Sequence, residues 1–178
     1  MINRSFTPFP TLTTARLTLR QLSTDDGERI FALRSDREIN KYLERQPSQT
    51  IEDAINFINK INDIIKKNDG IYWVITLTDS NTFVGTICLF SFSNEENKCE
   101  IGYELLTNYQ GQGIMKEAAE KVIDYAFHTL QLQKIEALTH NDNQPSTKLL
   151  LKFGFERSEA YKENPDFTIY TLTNSDHG

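Results

Sequence analysis

The stretch of sequence that decides the fold is a glycine-containing turn between a strand-like run and a helix-like run. It reads Asn108-Tyr109-Gln110-Gly111-Gln112-Gly113-Ile114-Met115. Residues 99–106 before it read as a strand, and the residues after it carry apolar side chains at helical spacing. The first turn of a helix has free N–H groups and the positive end of the helix dipole. The stretch therefore predicts a strand-to-helix turn that binds phosphate through its backbone.

Two glycines give this turn its chemical character. Gly111 and Gly113 lack Cβ atoms and let phosphate oxygens approach the backbone. An ordinary glycine-rich loop is the alternative, because Gly-x-Gly is a short pattern. The dinucleotide-binding pattern GxGxxG fails at Lys116, and no Gly-Lys-Ser/Thr of a Walker motif follows. The turn thus matches neither nucleotide signature.

The runs on both sides of the turn predict an α+β fold, a mixed α/β layer. Seven runs are strand-like. They cover residues 16–22, 71–78, 82–92, 99–106, 134–139, 155–161 and 167–173. Short polar turns join the second to the fourth, which favours an antiparallel meander. The predicted order is strand, two helices, three strands, helix, strand, helix and two strands.

Four segments have the pattern of helices. The polar run at residues 24–26 supplies a cap and negative charge for the first. Thr50 and Asp53 resemble a capping box ahead of the second. The helix after the glycine turn has apolar residues at helical spacing over 115–130, and the last helix covers 145–154.

Length and charge narrow the class of protein. A chain of 178 residues with 38% hydrophobic content suits one domain over residues 1–178. The net charge of -6 and the absence of a long Lys/Arg run argue against a nucleic-acid partner. An acidic balance favours cationic partners, such as amines or basic peptides.

Other compositional signals argue against a membrane, a metal and an oxidising compartment. The start of the chain lacks the apolar stretch of a signal peptide, and no run reaches the roughly 20 apolar residues that span a bilayer. Cys88 and Cys99 do not make a disulfide framework. The histidines are not spaced like metal ligands. We therefore expect a cytoplasmic, metal-free protein.

Several motifs around the turn match one family in order and spacing. The central ones are Glu100-Ile101-Gly102-Tyr103-Glu104-Leu105-Leu106, Tyr109-x-Gly111-x-Gly113 and Glu117-Ala118. The flanking ones are Arg16-Leu17-x-Leu19-Arg20 with Asp25, Asn143-x-x-Ser146, and Lys152-Phe153-Gly154-Phe155. Together they resemble the GNAT superfamily of N-acetyltransferases, and are closest to its ribosomal-protein N-terminal acetyltransferase branch. The resemblance spans roughly residues 12–173.

The resemblance implies a GNAT-like central sheet, mostly antiparallel and strongly twisted, of about six to seven strands flanked by helices. It implies acetyl-coenzyme A (acetyl-CoA) as cosubstrate, no metal, and direct acetyl transfer to a primary amine. The residues it assigns to coenzyme binding are Leu105, Leu106, Asn108, Gln110, Gly111, Gln112, Gly113, Ile114, Met115, Asn143 and Ser146. Asn108 departs from the family, which often has Gln or Arg three residues before the first glycine. Because that contact is mostly made by backbone, we expect binding to survive.

Three residues are candidates for catalysis. Glu104 is the first choice for the base that takes the amine proton, and Glu100, on the same face of the strand, is the second. Ser146 resembles the residue that stabilises the leaving thiolate in the ribosomal branch, and Asn143 the one that bonds the pantetheine arm. The simpler alternatives are solvated carboxylates, a helix cap and a turn bond, respectively. An N–H of the last strand residues would stabilise the oxyanion.

The acceptor is left open by these motifs. The branch resemblance favours the N-terminus of a protein, and a polyamine, an amino acid or an aminoglycoside is the small-molecule alternative. A non-catalytic acyl-CoA sensor would keep the turn without the catalytic residues. Residues 38–65 and 161–167 are the segments expected to bind the acceptor. The expected oligomeric state is a monomer or a homodimer.

Overall fold

Eight strands form one sheet, in the order β1-β2-β3-β4-β5-β6-β8-β7 across its width. The computed structural model describes residues 4–43 and 45–175. The strands are β1 (Leu12–Thr13), β2 (Leu17–Gln21), β3 (Ile71–Leu77), β4 (Thr82–Ser93), β5 (Lys98–Leu105), β6 (Lys134–His140), β7 (Glu156–Ala160) and β8 (Phe167–Thr173). Every neighbouring pair is antiparallel except β5 and β6. The predicted α+β fold with a mostly antiparallel sheet is confirmed.

The strand count is eight rather than the predicted six to seven. The additional strand is β1, which pairs Leu12 and Thr13 with Leu19 and Thr18 of β2. Two residues are too short a run to show the alternation by which a strand is recognised from sequence. The meander from β3 to β5 is antiparallel, as the short turns predict.

The sheet opens between β5 and β6. The paired residues are Lys98 with Lys134, Cys99 with Ile135, and Glu100 with Glu136. Beyond this parallel contact, β5 continues along β4 as far as Leu105, while β6 continues along β8 as far as His140. Because a strand has hydrogen-bonding groups on both edges, each of the two strands turns backbone groups toward the gap between them.

Five α-helices flank the sheet in the described part of the chain. They are α1 (Gly27–Ser35), α2 (Arg37–Asn40), α3 (Ile51–Lys66), α4 (Ile114–Asp124) and α5 (Gln144–Lys152). The four-residue α2 has no counterpart in the predicted order, since one turn carries no helical period. The helix predicted to reach residue 130 is α4 followed by a π-helical turn, Tyr125–Thr129.

The caps of the first helices correct one detail of the sequence analysis. Ser23 is the residue that caps the segment before α1, because its hydroxyl accepts the amide of Asp25 and Asp26 completes a capping box. The predicted capping box of Thr50 and Asp53 is present at the start of α3. The first-turn amides of both helical segments are therefore hydrogen-bonded, which stabilises the segments.

Strand β3 separates two packed faces. Trp73 is fully buried, donates its indole N–H to the carbonyl of Pro10 at 2.8 Å, and packs edge-on against Tyr125. Tyr72, its neighbour, points to the opposite face and packs against Phe57 of α3. Directly paired residues of adjacent strands share a face. The α3 face therefore continues from β3 across β4 to the carboxylates of β5.

Three further observations concern the cysteines, membrane-spanning helices and metal ligands. Cys88 and Cys99 are free thiols in adjacent strands. No helix in residues 4–43 and 45–175 is long and apolar enough to cross a membrane. Nor do those residues contain a cluster of three or more His, Cys, Asp or Glu side chains arranged to hold a metal ion.

Candidate active site

Helix α4 begins at the glycine turn with open backbone. Gly113 is its N-cap residue with φ of 77°, and no described side chain caps the helix there. The amides of Ile114 and Met115 therefore lie in a first turn without intrahelical acceptors. A Cβ added to Gly111 would meet no heavy atom within 4 Å. This open, electropositive helix end fits the pyrophosphate of a coenzyme.

The polar side chains of the turn brace the loop itself. Gln110 donates its side-chain amide to the carbonyl of Leu105 at 3.1 Å. Gln112 donates to the carbonyl of Asn108 at 3.1 Å, and the Asn108 side chain is exposed. The two glutamines therefore fix the shape of the turn, which leaves ligand contacts to the backbone.

Arg16 and Glu117 clamp the turn from outside. The Arg16 Nε lies 2.8 Å from a Glu117 carboxylate oxygen, and its Nη1 donates to the carbonyl of Gln112 at 3.2 Å. The Thr14 hydroxyl donates to the same carboxylate. Burial works to raise the pKa of Glu117, but hydrogen bonds from Thr14 and Arg16 outweigh it and lower the pKa. A Cβ on Gly113 would lie 3.5 Å from Arg16 Nη2, so this guanidinium stands beside the backbone at the start of α4.

The two leucines before the turn differ in their backbone bonding. The amide of Leu106 donates to Val84 of β4 at 2.8 Å. Since successive amides of a strand point to opposite edges, the amide of Leu105 is directed to the gap between β5 and β6. Gly85 makes this arrangement possible, because a Cβ there would lie 2.3 Å from the Glu104 carbonyl oxygen. Leu105 is thus the residue with an amide available for a ligand in the gap.

Ser146 bonds a tyrosine across the gap. The side-chain oxygen of Asn143 accepts the Ser146 amide at 3.3 Å, which makes Asn143 the cap of α5. The Ser146 hydroxyl lies 2.9 Å from the hydroxyl of Tyr103 on β5. Burial raises the pKa of Tyr103, and the bond to Ser146 opposes this only in part. The phenol therefore stays protonated and can donate to Ser146, whose own proton is then free for another acceptor.

A cavity of about 700 Å³ lies on the α3 face of the sheet. It brings together four residues predicted from the sequence to act on the donor or the acceptor. They are Glu100, Glu104, Asn143 and Ser146. The two predicted acceptor segments also line it, through Arg45 and Phe57 from the first and Phe167 from the second. The turn residues 108–115 do not line it, so the glycine turn and the cavity are separate surfaces. Glu104 lines the cavity, and Leu105 follows it as the last residue of β5 before the turn.

Glu104 forms an ion pair with Arg45 at the cavity wall. The two side chains are 13% and 21% exposed, respectively. Arg34 lies beside them, with its guanidinium carbon 3.9 Å from the centre of the Phe57 ring. Burial, and next the charge of Arg45, lower the pKa of Arg34. An arginine nevertheless keeps its charge at neutral pH, so two guanidinium groups adjoin the first-choice base.

Glu100 differs from Glu104 in its surroundings. Burial, and next the negative charge of Glu136 on β6, raise the pKa of Glu100, while Lys98 opposes the shift. Lys98 is itself bound to Glu136 at 2.7 Å. A carboxylate with a raised pKa is a stronger base, which keeps Glu100 as a candidate beside Glu104.

Cys88 also lines the cavity, but as an inert thiol. Burial and the charge of Glu104 raise its pKa to about 12. Since the thiolate is the reactive form, this thiol is a poor nucleophile at neutral pH. Cys88 is therefore a poor candidate for an acyl-cysteine intermediate.

Sequence reasoning missed four residues of this site. Arg16 and Tyr103 were recognised only as members of sequence motifs, without a role of their own. Arg34 and Arg45 carried no signal, because single arginines in helical or loop segments are ordinary surface residues. Each acts through a partner distant in sequence, which a local pattern does not show.

The split sheet, the open helix start and the adjoining cavity define an α+β acyltransferase. A family model described as acetyltransferase (GNAT) domain matches residues 16–156. The chain belongs to this family.

Named relatives extend the comparison. An uncharacterized N-acetyltransferase of Bacillus subtilis, YoaA, is 35% identical over 87% of this chain and 88% of its own. The ribosomal protein uS5-alanine N-acetyltransferase of Escherichia coli is 27% identical over 90% of this chain and 85% of its own. A spermidine N-acetyltransferase of Vibrio cholerae in complex with CoA and spermine has a TM-score of 0.80 at 21% identity, covering 91% of this chain and 98% of its own. That structural likeness concerns the fold alone.

Proposed function

We propose that this protein is an N-acetyltransferase that moves the acetyl group of acetyl-CoA directly to a primary amine. The supporting observation is that the open start of α4 and the β5–β6 gap adjoin a cavity with two carboxylates. Family membership supports the chemistry, and the CoA in the Vibrio cholerae structure supports the donor. The uS5 relative makes a protein N-terminus one acceptor class to test, and the spermidine enzyme makes small amines another.

The donor would be held mainly by backbone. Gly111, Gly113 and the first amides of α4 would bind the pyrophosphate, with Arg16 adding positive charge beside them. Leu105 and Asn143 would bind the pantetheine arm, which places it along the gap. Gln110 and Gln112 would act by shaping the turn.

Acetyl-CoA supplies an activated thioester, and the protein supplies proton transfer and charge stabilisation. Glu104 takes the proton of the attacking amine, with Glu100 as the alternative base. A Lys amine has a reference pKa of about 10.4 and an α-amine of about 8. A catalytic base therefore matters more for a Lys acceptor than for an α-amine. The Leu105 amide stabilises the oxyanion. Ser146, backed by Tyr103, donates to the departing sulfur.

The test is thiol release from acetyl-CoA with a panel of amines. The panel contains peptides with free N-termini, polyamines, amino acids and aminoglycosides. We expect release with at least one class and a product mass increased by one acetyl group. Tight CoA binding with silence across the panel would favour a sensor. Thermal protection by ATP or NAD, without protection by CoA, would contradict the donor assignment.

A further inference from the structure

We infer that the acceptor is a small primary amine that also carries a carboxylate, held by Arg34 and Arg45. This inference rests on the proposed acetyl transfer and names its substrate class. Amino acids with apolar side chains have this chemistry. The carboxylate would bind the two guanidinium groups while the amine faces Glu104.

Two unsatisfied nitrogen atoms point to an anion. Among the described residues, Arg34 Nε and Arg45 Nη2 are the buried side-chain nitrogens without a hydrogen-bond partner. A buried donor without an acceptor is costly, and the cost is higher when the group is charged. Both arginines line the cavity, Arg34 with its guanidinium over the ring of Phe57 and Arg45 in an ion pair with Glu104. A carboxylate accepts from two donors at once and would satisfy both once the two guanidinium groups turn toward the cavity, because neither nitrogen is exposed as the side chains stand.

The ion pair with Glu104 leaves the unsatisfied nitrogens of Arg34 and Arg45 without a partner. Glu104 bonds Nη1 of Arg45, which is a different nitrogen from the unsatisfied Nη2. Arg45 can therefore bridge the base and a substrate carboxylate. Such a bridge sets the carboxylate close to the base, as an α-amino acid requires, since its amine and carboxylate are attached to the same carbon.

The charge of the cavity contrasts with that of the chain. The chain has a net charge of -6, whereas the Lys, Arg and glutamate side chains on the cavity wall are Arg34, Arg45, Lys60, Glu100 and Glu104. The raised pKa of Glu100 further weakens the negative side. A polyamine would bring several cations to a wall where cations outnumber carboxylates, which is unfavourable. A zwitterion matches both signs of charge.

The rim of the cavity indicates an apolar body for the acceptor. Leu43, Phe90 and Leu138 line it and are among the large apolar side chains with high exposure, at 38%, 38% and 37%. Tyr42 and Phe167 add aromatic surface, and both contact the ring of His140, Tyr42 in a tilted and Phe167 in an edge-to-face arrangement. An apolar side chain on the acceptor would cover this surface.

The experiment compares matched amines. Leucine, phenylalanine and methionine are each assayed beside the corresponding amide and decarboxylated amine, with acetyl-CoA saturating. We expect kcat/KM for at least one amino acid to exceed that of its amide by about tenfold or more, as a charge-assisted hydrogen bond implies. Equal or better rates with the amides, the decarboxylated amines or polyamines would overturn the inference and leave acetyl transfer standing. Silence with every amine would instead contradict the proposed function.

Two variants test the arginine directly. Arg34→Met should raise KM for the amino acid by about tenfold or more, with little change for its amide. Lys60→Met is the matched control, because it removes a cavity cation that has no unsatisfied buried nitrogen, and we expect less than a threefold change. If Arg34→Met does not fold, Arg34→Lys keeps the charge but loses the planar fork, and an intermediate KM is expected. Equal effects of Arg34→Met on amino acid and amide, or unchanged KM in Arg34→Lys, would contradict the assignment.

Calorimetry makes the test independent of turnover. Leucine, phenylalanine or methionine should bind the CoA-saturated protein, and the matching amide should bind about tenfold more weakly. Absence of binding by all three amino acids, or equal binding by the amides, would sink the carboxylate assignment.

Discussion

The glycine turn follows β5 and the cavity is lined in part by β5, yet the two are built from different parts of the chain. The turn is made of consecutive residues whose backbone is the proposed binding surface, with φ values near 76° and 77° at its two glycines. The cavity is lined by residues from α1, α3, α5, five strands and three connecting segments. A surface made of contiguous backbone leaves a sequence signature, whereas one assembled from distant side chains leaves none. The proposed donor site is therefore easier to predict from the sequence than the proposed acceptor site.

The largest effect should come from Gly113→Asp, which disrupts the glycine turn. It places a Cβ and a negative charge at the start of α4, where the phosphates would lie. Two like charges about 4 Å apart near a protein surface repel by about 4 kcal/mol, so CoA affinity should fall on the order of 100-fold or more. Calorimetry measures it. Gly113→Asn is the control, since it has the same shape without the charge; unchanged affinity in the Asp variant would remove the turn from the donor site.

On the acceptor side, Glu104→Gln should lower kcat by about 100-fold, the usual scale for loss of a general base. Glu100→Gln should lower kcat by less if Glu104 is the base. CoA affinity, measured in parallel, should stay near the wild-type value in both variants. The reverse order of the two effects would transfer the role to Glu100.

A smaller effect on turnover is expected for Ser146 and Tyr103, whose side chains meet across the gap between β5 and β6. Ser146→Ala should lower turnover about tenfold, the scale of one charge-assisted hydrogen bond, while CoA affinity changes little. Tyr103→Phe should give a similar loss, and the double variant should cost less than the sum, because both act through one bond. Full turnover in Ser146→Ala would reduce Ser146 to a structural residue of α5.

The subtlest test is a pH profile that separates the two glutamates. Glu136→Gln removes a negative neighbour of Glu100, which lowers the pKa of Glu100 toward its ordinary value. If Glu100 is the base, the acid limb of kcat/KM moves to lower pH, since the base is then deprotonated earlier. If Glu104 is the base, the limb stays in place. Lys98→Met is the control for the ion pair with Glu136, and should move a Glu100 limb the other way, because Lys98 lowers that pKa.

The sequence predicted most of the fold because its elements are local. The capping box at Thr50, the antiparallel meander and the glycine turn each depend on residues within one short segment. Strand β1 and helix α2 were missed because two and four residues show no period. The ion pair of Arg45 with Glu104 joins a connecting segment to a strand, and the Arg16–Glu117 clamp spans 101 positions. Such pairs arise only when the sheet is assembled, so no local pattern predicts them.

The three-residue contact of β5 with β6 has a consequence for cooperativity. It divides the hydrogen-bond ladder into blocks of five and three strands. A coenzyme hydrogen-bonded to both edges of the gap would connect the two blocks. It would raise the free energy of unfolding by RT ln(1 + [L]/Kd). Amide hydrogen exchange in β6 should then slow when CoA is added, while exchange in β3, buried at the centre of the other block, should change little. The gap proposed to hold the coenzyme is thus also the place at which the sheet would first separate.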